Sequence, residues 1–439
     1  MPSLPTPRIA IIGSGPAGCY LAQSLVRSLP GCELTLFDRL PSPFGLIRYG
    51  IAADHQHTKA ITRQFERLFA APNVRFAGDV TIGTDSAIGA DVTLAELQDH
   101  FDAVVFATGL SEDRPLPVPG GALPGVVGAG ALTRVLNAHP DAATTLPELG
   151  SDVVIVGAGN VALDVLRFLV KDNDGYAQSD VADTALAPYL ADPAQRITIL
   201  SRSDVARAKG DPQMFKELAG LERGRYTTDA AALTLPEGTD RTTTARVAAV
   251  AELTAPDRPA HPGPNVTLHF GAVPVRVEGT DRVTSVTVEL GGLTRLIPAT
   301  AVITAIGFDG LGGTGDAANL AALPAAAPTG RIRAGVYRTG WAKRGPNGAI
   351  PENRACAKSV AEEIVADLVD GTIATDPGKP GFAGLPASVQ DRAISFAQWQ
   401  VLDAHECATA RPGRVRTKLP DHTQMAAIAR GAALPQAQA

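Results

Sequence analysis

Two glycine-rich loops, each entered from an apolar run, constrain this chain more than any other feature. The first is Arg8-Ile-Ala-Ile-Ile-Gly13-Ser-Gly15-Pro-Ala-Gly18, and the second is Asp152-Val-Val-Ile-Val-Gly157-Ala-Gly159-Asn-Val-Ala162. In a loop of this kind the first glycine permits a tight turn, the second lets the backbone approach a pyrophosphate, and the third lets the helix pack closely on the strand. The helix N-terminus then offers unpaired N–H groups and a positive dipole end to the phosphates. One such loop is a weak signal. Two of them in 439 residues point to two dinucleotides on one protein, and so to electrons moving between them.

The surrounding sequence supplies the rest of each unit. Arg8 to Ile12 is a short β-branched run, and Ala17 to Leu29 carries Leu21, Leu25, Val26 and Leu29 at helical spacing. Pro30-Gly31 ends that helix, and Glu33 to Phe37 alternates like a strand. The pattern repeats from Val153, with Val161, Val165, Leu166 and Leu169 on one helix side and a subsequent strand at Arg196 to Leu200. Two more apolar runs end in glycine, Ala103 to Gly109 and Ala301 to Gly307, and read as buried parallel strands. They mark where the chain leaves one dinucleotide domain and later returns, with Pro115, Pro117 and Pro119 as a linker. Thr227 to Thr300, rich in Thr and Val, reads as inserted β-structure. Gly312 to Gly330 reads as a surface loop. The tail after Pro377 reads as irregular, with one apolar patch at Ile394 to Val401.

Composition narrows the function classes. A net charge of −6 gives no electrostatic reason to expect nucleic acid, and 45% hydrophobic content is that of a globular protein. No apolar run reaches the roughly 18 residues of a membrane span. The opening residues lack a signal peptide's basic start and long apolar stretch, so the expected location is cytoplasmic. Cys19, Cys32, Cys356 and Cys407 are far apart, and no CxxC occurs. That spacing argues against a redox dithiol, an iron–sulfur cluster or a structural zinc in this chain.

The two loops differ in their downstream residues. Pro16 suits a helix start, since its missing N–H would have been unpaired there. Asp38, about 20 residues beyond Gly18, ends the second strand, where a carboxylate accepts hydrogen bonds from a ribose diol. Loop chemistry alone does not separate FAD from NAD at this site. The second loop has Ala162 in the third place, and its next strand ends in Leu200-Ser201-Arg202-Ser203, with no acid for a free 2′-hydroxyl. Arg202, helped by Ser203 and Arg207, suits a 2′-phosphate, which favours NADPH over NADH.

At this point the chain resembles a known family. The run Leu40-Pro-Ser-Pro-Phe-Gly-Leu-Ile-Arg-Tyr-Gly-Ile-Ala-Ala-Asp54-His55 is similar to the flavin-domain motif of adrenodoxin reductase and its bacterial ferredoxin–NADP reductase relatives. So are Gly159-Asn160-Val-Ala-Leu-Asp164-Val, Gly340-Trp341-Ala-Lys-Arg-Gly345-Pro346-Asn-Gly348-Ala-Ile350 and Phe396-Ala-Gln-Trp399-Gln-Val-Leu-Asp403. The matches run in the family's order along nearly the whole chain. The chain departs from the family at Ser203, where a second arginine is usual, at Phe44, where some members carry Trp, and at Pro351-Glu352-Asn353, where Gly-Thr-Asn is usual.

The resemblance implies an α/β fold of two Rossmann-like, three-layer dinucleotide-binding domains arranged as in glutathione reductase. The FAD domain would be discontinuous, 1–114 and 307–439, with the NAD(P) domain, 115–306, inserted. It implies FAD contacts from Gly13, Gly15, Pro16, Ala17, Gly18, Asp38, Arg39, Gly45, Leu46, Val80, Thr108 and Gly109, and from Trp341, Gly348, Ala349 and Ile350 around the isoalloxazine. It implies nucleotide contacts from Arg114, Gly157, Gly159, Asn160, Val161, Ala162, Arg202 and Ser203. Asp54 and His55 match the family's Asp-His pair, and Glu217 matches its helix glutamate near the nicotinamide. The expected reaction takes a hydride from NADPH to FAD and passes single electrons to a ferredoxin-type iron–sulfur protein. NADH preference, or a flavin enzyme acting on a small organic substrate, is the alternative. An acidic ferredoxin requires a local basic patch, for which Arg202, Arg207, Lys209, Lys216, Arg223 and Arg225 form the densest stretch. A monomer is favoured.

Overall fold

The computed structural model describes residues 6–431 apart from 84–88, 230–232, 236–237, 260, 310–327 and 349. The chain divides into two compact units. One comprises residues 1–51, 55–112 and 308–439, and the other 52–54 and 113–307.

The first unit is built on a six-stranded sheet in the order Arg331–Arg333, Val336–Arg338, Ala103–Phe106, Arg8–Ile12, Glu33–Phe37 and Val74–Ala77. All neighbours are parallel except the first pair. Alternation along Arg8–Ile12 feeds two cores. Ile9 and Ile11 join the layer of the Pro16–Ser28 and Ile350–Val369 helices, and Ala10 and Ile12 join the opposite layer with Phe37, Phe101 and Phe106.

The second unit repeats the plan with a six-stranded, all-parallel sheet: Arg225–Thr228, Asn265–Phe270, Arg196–Ser201, Asp152–Val156, Ala301–Thr304 and Val126–Gly128. Val153 and Ile155 face the helical core, whereas Val154 and Val156 face a three-stranded antiparallel sheet, Val273–Gly279, Val283–Leu290 and Leu293–Pro298. Both halves are therefore α/β units on mainly parallel sheets, as their strand–loop–helix patterns imply.

Two segments differ from expectation. Thr227 to Thr300 is not uniformly β, because Arg241–Leu253 is a helix. Its Thr and Val content suggested strand, but Asp240 caps it through Oδ1 to the Thr242 and Thr243 amides, and Val247, Val250 and Leu253 recur at helical spacing. The tail after Pro377 is not irregular either. It forms the helices Ala387–Arg392, Phe396–Ala408 and His422–Ala429. Ser395 and Gln398 make a capping box at the middle one. The burial of Phe396 and Trp399 is long-range, against Phe44 and Phe69, and so leaves no local period. Most of the 312–330 segment lies outside the described residues.

Candidate dinucleotide sites

In the first unit Gly13 takes φ +107 and donates its N–H to the Phe37 carbonyl at 2.8 Å. A Cβ there would lie 2.5 Å from the Ala107 carbonyl oxygen, and one on Gly18 would lie 2.0 Å from the Gly13 oxygen. Glycine is therefore required at both places. At Gly15 a Cβ would meet nothing nearer than the Gly45 Cα, 4.0 Å away. The Pro16–Ser28 helix begins there with no side-chain cap and no acid in its first turn, so its amides remain available to phosphates. Gly340, at φ +66, abuts Ala17 so closely that a Cβ would stand 2.5 Å from the Ala17 Cβ. This contact sets the Trp341 segment against the same helix end.

The flanking residues close around this loop. Asp38 Oδ2 accepts the Ser14 N–H (3.1 Å) and hydroxyl (2.5 Å), and Oδ1 accepts the Leu40 N–H (3.1 Å). Burial pushes the Asp38 carboxyl up, against the Ser14 and Leu40 hydrogen bonds that lower it. A carboxylate has about four acceptor directions, so lone-pair capacity remains for a ribose hydroxyl. Phe44, at φ +81, donates its N–H to the Ser14 carbonyl and brings Gly45 and Leu46 back over the loop. Thr108, beside Gly109 where the Ala103–Phe106 strand ends, has a buried hydroxyl with no partner. Val80 is buried, its N–H on the Asp38 carbonyl, and the Arg39 carbonyl is 3.0 Å from His422 Nε2. An orphaned hydroxyl, an open glycine face and a free helix end fit a dinucleotide.

Trp341 opens a short turn, Trp341–Arg344, and donates Nε1–H to the Gly348 carbonyl at 3.2 Å. Its ring lies 5.3 Å from that of Phe308, and Arg344 ties the segment to the Asn347 carbonyl and to Asn353 Oδ1. Ile350 begins the Ile350–Val369 helix. Ala349 lies outside the described residues. His55, half-buried, precedes the Gln56–Lys59 turn with its ring 5.7 Å from that of His57.

The second unit repeats the loop geometry. Gly157 takes φ +124, donates to the Leu200 carbonyl, and has the Ala305 oxygen 2.4 Å from where a Cβ would sit. Gly159 faces open space except for Lys209, whose Cβ is 3.9 Å from the Cβ position. The Asn160–Val170 helix lacks a side-chain cap and an early acid, and Ala162 is fully buried in its first turn. Val161 is exposed. Asn160 Oδ1 accepts the Asp211 N–H at 2.8 Å, so this side chain braces the neighbouring loop. Arg202 and Arg114 are exposed or half-exposed, and the Ser203 carbonyl accepts the Ser201 hydroxyl and the Gly271 N–H. Two members of the basic stretch are engaged: Arg207 pairs with Asp204, and Arg223 pairs with Asp172.

Asp54 and Glu217 come together in this unit around Arg167, a residue that sequence reasoning missed. Buried Arg167 pairs with Asp54, with Asp164 Oδ1 at 3.0 Å and with Glu217 Oε2 at 3.6 Å, while Lys171 also reaches Asp54. The Asp164–Arg167 spacing of i,i+3 was the local signal available. Burial pushes the Asp164 carboxyl up to about 7, with Asp54 and Glu217 adding like charge and Arg167 opposing them. Its contribution to stability is thus complete below the unfolded value and fades as pH rises towards 7. Asp164→Asn is expected to flatten the loss of stability between about pH 4 and 7. The difference is on the order of 2 kcal/mol, at about 1.4 kcal/mol per unit of retained shift. Urea melts across that range check it, and parallel wild-type and variant curves would refute it.

Comparison with known proteins agrees with this geometry. Residues 7–219 match the family model described as pyridine nucleotide-disulphide oxidoreductase. The chain is 40% identical to cindoxin reductase of Citrobacter braakii over 97% of its own length and 91% of that protein. It is 33% identical to a probable ferredoxin/ferredoxin–NADP reductase of Mycobacterium leprae over 97% and 78% of the two chains. The solved structure of Mycobacterium tuberculosis FprA in complex with NADPH superposes with a TM-score of 0.87 at 29% identity, covering 97% of this chain and all of that one. This chain belongs to the bacterial FAD-dependent ferredoxin reductase family of pyridine nucleotide oxidoreductases.

Proposed function

We propose that the protein is a reductase that takes electrons from NADPH and delivers them singly to a ferredoxin-type iron–sulfur protein. FAD would be held by the unit carrying Gly13, Asp38 and Trp341, and NADPH by the unit carrying Gly157 and Arg202. The observation that carries this reading is the pair of uncapped, acid-free helix ends, each behind a glycine that faces open space. FAD, when bound, accepts two electrons together from a reduced nicotinamide and releases them one at a time.

The chain's own residues bind and orient. The amides after Gly15 and Gly159 meet pyrophosphates, and Asp38 accepts from a ribose hydroxyl. The Trp341 segment, tied down by Gly348 and Asn353, shapes the surface offered to the flavin ring. His55 carries an imidazole whose ring nitrogens can both donate and accept a proton, which suits proton delivery. Glu217, beside Arg167, suits orientation of the nicotinamide amide. Arg202 is exposed where a 2′-phosphate arrives, which favours NADPH. The relative solved with NADPH supports that preference.

Anaerobic stopped-flow bleaching of the flavin, with NADPH and NADH in parallel, tests the reading. The expected result is faster, tighter reduction by NADPH, and then one-electron reduction of an added bacterial [2Fe–2S] ferredoxin. Bleaching without any ferredoxin reduction would overturn the partner assignment, and a strong NADH preference would overturn the role of Arg202.

A further inference from the structure

The loop Ala206–Asp211 lies against the second glycine loop and is fixed there from three sides. Asn160 Oδ1 takes its Asp211 N–H at 2.8 Å. Gly210 is so close to the glycine loop that a Cβ would stand 2.8 Å from the Ala158 oxygen and 2.9 Å from the Leu163 and Phe215 side chains. Arg246, on the Arg241–Leu253 helix, donates Nε–H to the Gly210 carbonyl (2.7 Å) and Nη1–H to the Ala206 carbonyl (2.9 Å). These contacts occupy the Ala206 and Gly210 carbonyl oxygens with Arg246 and hold the loop in place. Lys209 sits between the pinned residues. Its Cβ is 3.9 Å from the position a Cβ would take on Gly159. Gly159 is the residue whose backbone approaches the pyrophosphate. An ammonium on a flexible stem, rooted at that distance, reaches a phosphate laid on the helix end. The neighbouring cation, Arg207, is turned to Asp204.

We propose that Lys209 binds the pyrophosphate of the nicotinamide nucleotide, the part common to NADPH and NADH, while Arg202 separately reads the 2′-phosphate. This inference rests on the nucleotide assignment made for the Gly157 loop. It divides the site's charge into a lysine that provides affinity and an arginine that provides selectivity. The loop supplies one cation from a direction other than the Leu200–Ser203 turn, where Ser203 stands in place of a second arginine.

Equilibrium titration of the FAD-loaded protein with NADPH, NADH and ADP-ribose tests it in wild type, Lys209→Ala, Lys209→Arg and Arg202→Ala. Lys209→Ala should raise all three dissociation constants by a common factor of about ten, the scale of one charge-assisted contact. Lys209→Arg should restore most of the loss, and Arg202→Ala should weaken NADPH alone. Unchanged binding by Lys209→Ala beside a wild type that binds normally would overturn the proposal by itself. A Lys209→Ala loss confined to NADPH would overturn it too, by moving Lys209 to the 2′-phosphate. A wild type that binds none of the three would overturn the nucleotide assignment as well.

Discussion

Replacing Glu406 with alanine is expected to destabilise the first unit by about 3–5 kcal/mol, the cost of stranding a buried charge. Glu406 is 0% exposed, and its partner Arg48 is 6% exposed. Arg48 Nη2 donates to both Glu406 oxygens at 2.6 Å, the Leu419 N–H donates to Oε1 at 3.2 Å, and Arg416 Nη1 lies 3.5 Å from Oε2. The Lys418 and Lys59 ammonium groups meanwhile converge on the Arg48 carbonyl. Removing this buried carboxylate leaves the positive cluster without its central counter-charge. Glu406→Gln keeps the shape and an acceptor but not the charge, and so should fall between wild type and alanine. The damage is expected to extend to the proposed flavin site, because Arg48 belongs to the Leu46–Tyr49 turn next to Gly45. Chemical denaturation, with FAD release monitored by fluorescence, measures both effects. A Glu406→Ala protein as stable as wild type would show that the pair contributes nothing net.

Gly18→Ala is expected to abolish flavin retention while the second unit keeps its fold. The new methyl would lie 2.0 Å from the Gly13 carbonyl oxygen and 3.2 Å from its carbon, and backbone cannot swing aside as a long side chain can. Overpacking of this kind ordinarily costs about 1–3 kcal/mol, and a backbone collision belongs at or beyond the upper end. Relief would come only by pushing the Pro16–Ser28 helix away from the strand, which withdraws its amides from the phosphates. The second loop provides an internal control. Ala162 already carries a methyl at the matching place, so Ala162→Gly should cost about 1 kcal/mol by helix propensity alone. Absorbance of the purified proteins near the flavin band, with thermal melts, decides the matter. A fully yellow Gly18→Ala protein would refute the packing argument.

Much of this molecule is legible from local sequence because the strand–turn–helix unit is a local object. Gly13, Gly18 and Gly157 read as turn and packing glycines, and each proves to abut a backbone carbonyl. Asp38 is found from its distance along the chain, and it does stand beside the loop, tied to Ser14. The Arg241–Leu253 helix is hidden behind threonines and valines whose intrinsic preference favours strands, and an aspartate cap outweighs them. The tail helices are hidden because Phe396 and Trp399 bury themselves against Phe44 and Phe69, far earlier in the chain, which no local window can register.

The sequence by itself determined the two loops, the strands that feed them, the different third residues Gly18 and Ala162, and the family to which the chain belongs. Those result from steric rules acting within about 30 residues, the span of one βαβ unit. The tertiary structure alone decided which charges meet. It gathered Asp54, Asp164 and Glu217 on Arg167, sealed Arg48 with Glu406 across most of the chain's length, and laid Lys209 beside Gly159. Coulombic partnership depends on distance in space and on exclusion of water. Neither is written in the spacing of residues along the chain.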